Sequence, residues 1–433
     1  MRKHYLFVLI SIWLCIACTS KISEPSKVTS FVNIENGQFI KNGKPYYYIG
    51  ANFWYGAILA SEGEGGNRQR LIAELDSMAA IGIDNLRILI GADGVNGVPA
   101  KVEPTLQVEA GVYNDTILAG LDYLLYEMGK RNMVAVLYLN NSWEWSGGYG
   151  QYLEWAGYGK APIPAIDGWD KYQTFVSQYQ KSEEAKKLFA DHVKNIVTRT
   201  NRYTNQKYIN DPTIMSWQIG NEPRAFGQEN KVSYALWIHD VAAQIKALDP
   251  NHLVSTGNEG YQGTEGDIQL WELIHSYSNV DYMTIHIWPY NWGWAQKDNL
   301  DGTVQYSIDQ TALYIKEHLV IAEEHQKPLV IEEFGFPRDN FQFSKTSSTV
   351  NRDRYYESVF NQVFENSKSN GRLAGCNIWA WGGSARQNPE HVFWEKGDDY
   401  MGDPAQEEQG LNSVFNSDFS TIKLIVDITE KMH

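Results

Sequence analysis

Two glutamates occupy positions from which a folded chain can do acid–base work. Glu222 ends the stretch Trp217-Gln218-Ile219-Gly220-Asn221-Glu222-Pro223, and Glu333 lies in Ile331-Glu332-Glu333-Phe334-Gly335. Each follows an apolar run that reads as a buried strand, where a carboxylate costs free energy unless it is paired or used. Two opposed carboxylates suit one reaction well: one donates a proton to a leaving oxygen while the other attacks an anomeric carbon. A single such glutamate is equally well explained as the ion-pair partner of a nearby arginine. Two of them, at the ends of the fourth and seventh runs of one repeating pattern, are much harder to explain that way.

The elements that must position them follow from hydrophobic patterning. Short apolar runs recur at 46–50, 85–90, 134–139, 214–219, 253–256, 282–287, 329–333 and 376–379. Helical spacing fills the intervals. Ala185, Leu188, Phe189, Val193, Ile196 and Val197 share one face, with Ser182 as cap and Glu183 and Glu184 in the first turn. Continuous apolar strands alternating with amphipathic helices predict a parallel sheet covered by helices. Eight such units predict an α/β (β/α)8 barrel whose active site lies at the C-terminal ends of the strands. The alternation of 31–40, broken at Asn36-Gly37, predicts a β-hairpin ahead of the barrel. The segment 141–182, rich in Trp, Tyr and Gly, is long enough to be a functional loop on the catalytic face. No Gly-x-Gly-x-x-Gly opens a helix after the first strand, so a dinucleotide fold has no support.

Composition narrows the partners. The formal net charge is −15, which excludes a broad phosphate-binding surface and hence nucleic acid. Aromatic residues are 13% of the chain, with 15 Trp and 26 Tyr, a supply of flat faces suited to sugar rings. Arg2 and Lys3 precede an apolar run too short to span a bilayer, ending at Cys15-Ile16-Ala17-Cys18. Residues 1–18 read as an export signal of bacterial lipoprotein type with Cys18 as the lipidated residue, and 19–30 as a polar tether. Residues 31–433 form the catalytic domain. The expected location is the periplasm or outer membrane, or otherwise the medium, with membrane contact only through a lipid on Cys18. Past the signal only Cys376 remains, so no internal disulfide is available. No His-Glu-x-x-His or other metal-ligand cluster occurs, and neither metal nor cofactor is expected.

Asn221-Glu222-Pro223 after the fourth run and Glu333-Phe334-Gly335 after the seventh resemble the signatures of glycoside hydrolase family 5, over nearly the whole mature chain. The resemblance implies Glu222 as acid/base and Glu333 as nucleophile. It also chooses between Glu332 and Glu333, which strict alternation places on opposite sides of the strand. Arg87 matches the family's arginine that keeps the nucleophile ionised, Asn221 the residue that binds the sugar's 2-hydroxyl, and His286 the strand-six positioning histidine. Trp379 matches the strand-eight tryptophan that floors the sugar site, although alternation also puts Trp381 on the same side. Trp288 stands where many relatives carry a tyrosine bonded to the nucleophile, and Tyr290 is a possible substitute.

Further matches resemble the mannanase branch of that family. They are Ala51-Asn52-Phe53-Trp54, Leu139-Asn140-Asn141-Ser142-Trp143, Gly257-Asn258-Glu259-Gly260, Gly402-Asp403-Pro404 and Gln409-Gly410-Leu411-Asn412-Ser413-Val414. They imply a β-mannan-type polysaccharide or oligosaccharide substrate, with Glu259 in the binding site and Trp54, Trp143 and Trp288 as stacking platforms. The expectation is a retaining, endo-acting β-1,4-mannanase, in which the Glu333 charge raises the Glu222 pKa. The alternatives are β-1,4-glucanase or exo-β-mannosidase action, and a non-catalytic glycan-binding lipoprotein.

Overall fold

The computed structural model describes residues 30–432. The export signal, Cys18 and the tether up to residue 29 lie outside the described residues. Eight parallel strands pair in sequence: β1 (Tyr48–Asn52), β2 (Asn85–Leu89), β3 (Val134–Tyr138), β4 (Ile214–Gln218), β5 (Leu253–Ser255), β6 (Met283–Ile287), β7 (Leu329–Phe334) and β8 (Leu373–Ile378). Neighbours are β5-β4-β3-β2-β1-β8-β7-β6. The seam between β5 and β6 is bridged more loosely, by Asp281 N to Val254 O at 2.8 Å and His286 N to Glu259 O at 3.0 Å. The architecture is the expected (β/α)8 barrel.

Helices alternate with the strands: α1 (Arg68–Ala80), α2 (Asp115–Lys130), α3 (Glu183–Val197), α4 (Lys231–Leu248), α5 (Ile268–Ser276), α6 (Leu300–Glu324), α7 (Val350–Ser369) and α8 (Phe419–Met432). Polar caps start several of them. Asn67, Asn114, Ser182, Asp267 and Asn299 each accept a hydrogen bond from a first-turn N–H. Each helix sends an apolar stripe inward, represented by Leu75, Leu121, Phe189, Ile238, Trp271, Ile315, Val359 and Ile425 in one continuous core with the outer strand faces. With both faces covered, strands such as Val-Ala-Val-Leu-Tyr are buried at every position.

A smaller core fills the lower barrel, where Val134, Val136, Met215, Leu253, Tyr282 and Val330 meet Val32, Phe39 and Tyr46. Val32 precedes, Phe39 belongs to and Tyr46 follows the hairpin, Asn33–Glu35 with Gln38–Lys41, in which Glu35 pairs with Gln38 around Asn36-Gly37. The hairpin therefore plugs the N-terminal end of the barrel. Asp84 accepts Tyr46 OH at 2.6 Å and Lys41 Nζ at 2.6 Å, fastening it there.

One strand departs from the expected alternation. Ile285 of β6 pairs with Ile331 and the next residue, His286, pairs with Glu333, so Glu332 is an extra residue in β7. This bulge turns two successive side chains into the barrel. Glu332 accepts Gln218 Nε2 at 2.6 Å and Tyr282 OH at 3.2 Å, while Glu333 pairs with Arg87. The two glutamates do not lie on opposite sides of the strand.

Candidate active site

Glu222 and Glu333 meet at the C-terminal ends of β4 and β7. They are 8% and 2% exposed. One oxygen from each, with a ring nitrogen of His286, lie within 4.8 Å of one another. His286 stands between them, with Nδ1 2.9 Å from Glu222 Oε1 and 3.4 Å from Glu333 Oε2.

Glu222 gets there by an unusual backbone turn. Its φ is 50°, in the left-handed region that a residue with a Cβ adopts at a cost. The turn is held by Glu222 N donating to Gly257 O at 3.0 Å and Asn221 N to Asn140 O at 2.7 Å. Gly257 must be glycine, because its φ is 75° and a Cβ would lie 1.9 Å from Gly220 O. The Gly-Asn-Glu stretch after β5 thus serves the catalytic turn after β4.

Glu333 is gripped by Arg87, which is completely buried. That guanidinium also donates to Gln218 Oε1 at 2.8 Å, Asn52 Oδ1 at 3.1 Å and Asn221 Oδ1 at 2.8 Å, and lies over the Tyr138 ring at 4.5 Å. Asn52 in turn donates to the Glu332 carbonyl at 2.8 Å. A planar donor fork with every arm engaged has little freedom, so the Glu333 oxygen it binds is fixed in place.

Glu222 is held differently. Its Oε2 accepts the indole N–H of Trp143, and its Oε1 faces His286. Burial pushes the Glu222 carboxyl up, but the His286 hydrogen bond and charge, the Arg224 charge and the Trp143 N–H outweigh it, leaving the pKa below the ordinary value. Burial pushes His286 down, yet the Glu333 charge and the hydrogen bond to Glu222 lift it to about 9. The expected elevation of Glu222 by Glu333 is therefore not what the geometry gives. The histidine between the two carboxylates takes up the proton instead.

The remaining expected residues fall into two groups. Trp379 is 3% exposed and meets Trp288 edge to face at 5.9 Å, on the Glu333 side. Trp143 packs edge to face on Trp169 and Phe226, with Arg224 5.2 Å from its ring, on the Glu222 side. Glu259 accepts Arg224 and acts on the site through it. Burial pushes its carboxyl up to about 7 against the pull of Arg224. Asn221 spends its carbonyl on Arg87 and donates to Asn141 Oδ1 at 3.2 Å.

Three expectations change. Trp54 is a wall residue, not a platform: it is 2% exposed, its N–H donates to Gly402 O at 2.8 Å, and Tyr55, Trp145 and Tyr400 pack around its ring. Trp381 does not share a side with Trp379, because β8 ends at Ile378 and the Trp381 N–H donates to Glu74 of α1 at 2.9 Å. Tyr290 packs on Phe341 at 4.7 Å, and the ring beside Glu333 is that of His286, 3.4 Å away. Asn52, Tyr138, Gln218 and Arg224 also belong to the site, and so does Glu332, the neighbour set aside in favour of Glu333. Asn52 and Gln218 lay inside quoted motifs, and only their inward side-chain direction was missing.

Glu222, His286 and Glu333 are, among the described residues, the one trio with ligand atoms close enough to share a cation. Their donors suit a proton better. Glu222 Oε1 and Glu333 Oε2 both face His286 Nδ1, and an N–H there can be shared between them.

Opposed carboxylates at the C-terminal end of a (β/α)8 barrel, one clamped by arginine and one by histidine and indole, define a glycoside hydrolase. The comparisons agree. The profile of the family described as "GH family 5 beta-mannosidase-like" matches residues 29–433. Mannan endo-1,4-beta-mannosidase 1 of Arabidopsis thaliana is 28% identical over 365 residues, covering 81% of this chain and 82% of that protein. Mannan endo-1,4-beta-mannosidase 4 of Solanum lycopersicum is 27% identical over 390 residues, covering 86% and 89%. The glycoside hydrolase family 5 mannosidase of Rhizomucor miehei superposes with a TM-score of 0.85 at 33% identity, covering 93% of this chain and 97% of that one. The endo-beta-1,4-mannanase of Thermotoga petrophila shares the fold, with a TM-score of 0.64 at 23% identity over 90% of this chain and 78% of that one. The chain belongs to glycoside hydrolase family 5, in its mannanase-type branch.

Proposed function

We propose that this enzyme hydrolyses β-1,4-mannosides with retention of anomeric configuration. The observation that carries the reading is the separation of the two carboxylates. One oxygen of Glu222 and one of Glu333 lie within 4.8 Å, in keeping with retaining enzymes, whose carboxyls are about 5–5.5 Å apart, against about 6.5–9.5 Å in inverting ones. In the first displacement Glu333 Oε attacks the anomeric carbon, the glycosidic bond breaks, and the Glu222–His286 pair delivers one proton to the departing oxygen. In the second, Glu222 takes a proton from water as that water attacks the glycosyl ester, and Glu333 leaves as the anion. Arg87 stabilises Glu333 whenever it is ionised.

Of the two modes of action, the site supports release from the chain end over the endo action expected from sequence. The catalytic oxygens are nearly buried, and the loop between β8 and α8 brings Glu407 against Trp379 and near Glu333. The 33% identical relative is described as a mannosidase. Endo action is the second reading, favoured by the relatives from Arabidopsis and tomato, which are mannan endo-1,4-beta-mannosidases. Product profiles decide between them. From mannohexaose, chain-end action yields mannose and mannopentaose first, whereas endo action yields internal fragments. NMR of the first-formed sugar reads the configuration, and an α-product would overturn retention. We also propose export with a lipid on Cys18. Labelling with a fatty-acid probe in a bacterial host, lost in Cys18→Ala, tests it.

A further inference from the structure

The bulge in β7 leaves a third carboxylate in the chamber that the two displacements do not use. Glu332 is 1% exposed and turns into the barrel beside His286. Its two oxygens accept Gln218 Nε2 at 2.6 Å and Tyr282 OH at 3.2 Å. Gln218 is fixed in turn, accepting Arg87 Nε at 2.8 Å and donating to Ser255 Oγ at 3.0 Å. Two neutral donors hold the carboxylate in place but do not balance its charge, and a buried charge without a counter-ion is costly. Burial pushes the Glu332 carboxyl up, while Arg87, His286 and these two donors pull against it.

A counter-ion stands next to it. His286 Nε2 lies 4.0 Å from Glu332 Oε2, is buried, and has no hydrogen-bond partner of its own. The other ring nitrogen, Nδ1, faces Glu222 at 2.9 Å and Glu333 at 3.4 Å. The imidazole is therefore bracketed by carboxylates at both nitrogens. The other titratable groups around the pair are Arg87 of β2, Tyr48 of β1, Tyr282, which precedes β6, and Glu259 after β5. Glu259 is bound by Arg224, so Glu222, Glu332 and Glu333 are left to share one fixed cation, Arg87. A proton on each nitrogen of His286 removes one of the two surplus negative charges.

A neutral imidazole with its only proton on Nδ1 could release it only by becoming an anion. Exchange at Nδ1 thus requires a second proton held on Nε2, and the group facing one nitrogen decides what the other can do. We propose that Glu332 is the positioning residue of the acid/base pair: its carboxylate holds the Nε2 proton of His286, so that the Nδ1 proton is free to move. In bond cleavage that proton passes through Glu222 to the departing oxygen, leaving Glu222 ionised and a neutral ring with its proton on Nε2. The proton that Glu222 then takes from the attacking water returns to Nδ1. This inference rests on the proton shared between Glu222 and His286 in the reading above.

A double-variant cycle in the full mature enzyme tests it. Glu332→Gln keeps the shape and removes the charge. It is expected to lower kcat on manno-oligosaccharides roughly tenfold, with KM little changed, and to move the alkaline limb of the pH–rate profile to lower pH. Bond cleavage of dinitrophenyl β-mannoside, whose leaving group needs no proton, should change less than about threefold. Adding Glu332→Gln to His286→Gln should cost nothing further, because the effect runs through that ring. Losses that multiply in the double variant, or a loss as large on the dinitrophenyl substrate, would overturn the proposal and place Glu332 with Arg87 instead. A second measurement needs no variant to fold. In nitrogen NMR of wild type with isotope-labelled histidine at neutral pH, both ring nitrogens of His286 should carry a proton, and a bare Nε2 would overturn the proposal. If His286→Gln itself leaves kcat and the alkaline limb unmoved, the shared-proton reading fails first and this inference goes with it.

Discussion

The two carboxylates sit within one small chamber yet are held by opposite strategies. Glu333 faces a permanent cation, Arg87, which Asn52, Gln218 and Asn221 lock in place. Glu222 faces an indole N–H and an imidazole, and the imidazole can gain or lose a proton in the ordinary pH range. One half of the site is built to keep a charge and the other to exchange a proton. The difference fits the proposed roles: a nucleophile must be an anion at every working pH, while an acid/base must change state twice per turnover.

The contrast breaks most visibly by deleting each carboxylate. Glu333→Ala is expected to lose activity roughly 10⁵-fold or more on every substrate, as removal of an essential nucleophile does. Azide in the vacated space should partly restore turnover and give a glycosyl azide of inverted configuration. Glu222→Ala should lose roughly 10³-fold on manno-oligosaccharides but far less in bond cleavage of dinitrophenyl β-mannoside, whose leaving group needs no proton. Equal losses on both substrates in Glu222→Ala would show that the two halves do not divide the work in this way.

Removing the cation tests the charge-keeping half. Arg87→Gln leaves Glu333 and Glu332 buried without their counter-ion, which is expected to cost about 3–5 kcal/mol of stability. The acid limb of the pH–rate profile should also move upward, since a carboxylate deprived of its cation is harder to ionise.

The histidine tests the other half. His286 titrates at about 9 in the folded protein, above the usual value for an unfolded histidine. Its proton therefore contributes stability that is fully present below about pH 6.5 and is lost as pH rises through about 9. Wild type should accordingly keep its acid up to about pH 9, with activity and thermal midpoint both falling beyond it. In His286→Gln the proton must reside on Glu222 alone, so the alkaline limb moves to lower pH and kcat falls roughly 10²-fold. An unmoved alkaline limb in that variant would mean that the proton is never shared.

Much of this arrangement was legible in the chain. Apolar runs and caps such as Ser182 marked every barrel strand and several helix starts, because burial on both faces of a parallel sheet leaves a local signature. Side-chain direction at strand ends did not. Glu332 and Glu333 share a side because of a bulge, which depends on how β6 and β7 register and not on either sequence alone. Trp379 and Trp381 diverge because the strand ends before both of them, at Ile378. His286 as proton holder emerges only when three distant segments meet. Glu407 lies in a polar loop with no periodicity, so no local pattern marks its place beside Trp379.

The smallest effects separate two tryptophans that looked alike in sequence. Trp143 gives its N–H to the acid/base, and Trp54 gives its own to the Gly402 carbonyl. Trp143→Phe keeps an aromatic wall but releases Glu222 from one of its two restraints. It should lower kcat about tenfold, the size of one hydrogen bond to a charged group, with little change in thermal midpoint. Trp54→Phe removes a neutral bond from a loop that other residues also hold. It should cost about 1 kcal/mol, lower the midpoint by roughly 1–2 °C, and change kcat/KM less than about threefold. Should Trp54→Phe instead match Trp143→Phe in lost turnover, the loop it anchors would be as much a part of the proton-exchanging half as Trp143 itself, and the division between the two halves would have to be redrawn around Gly402.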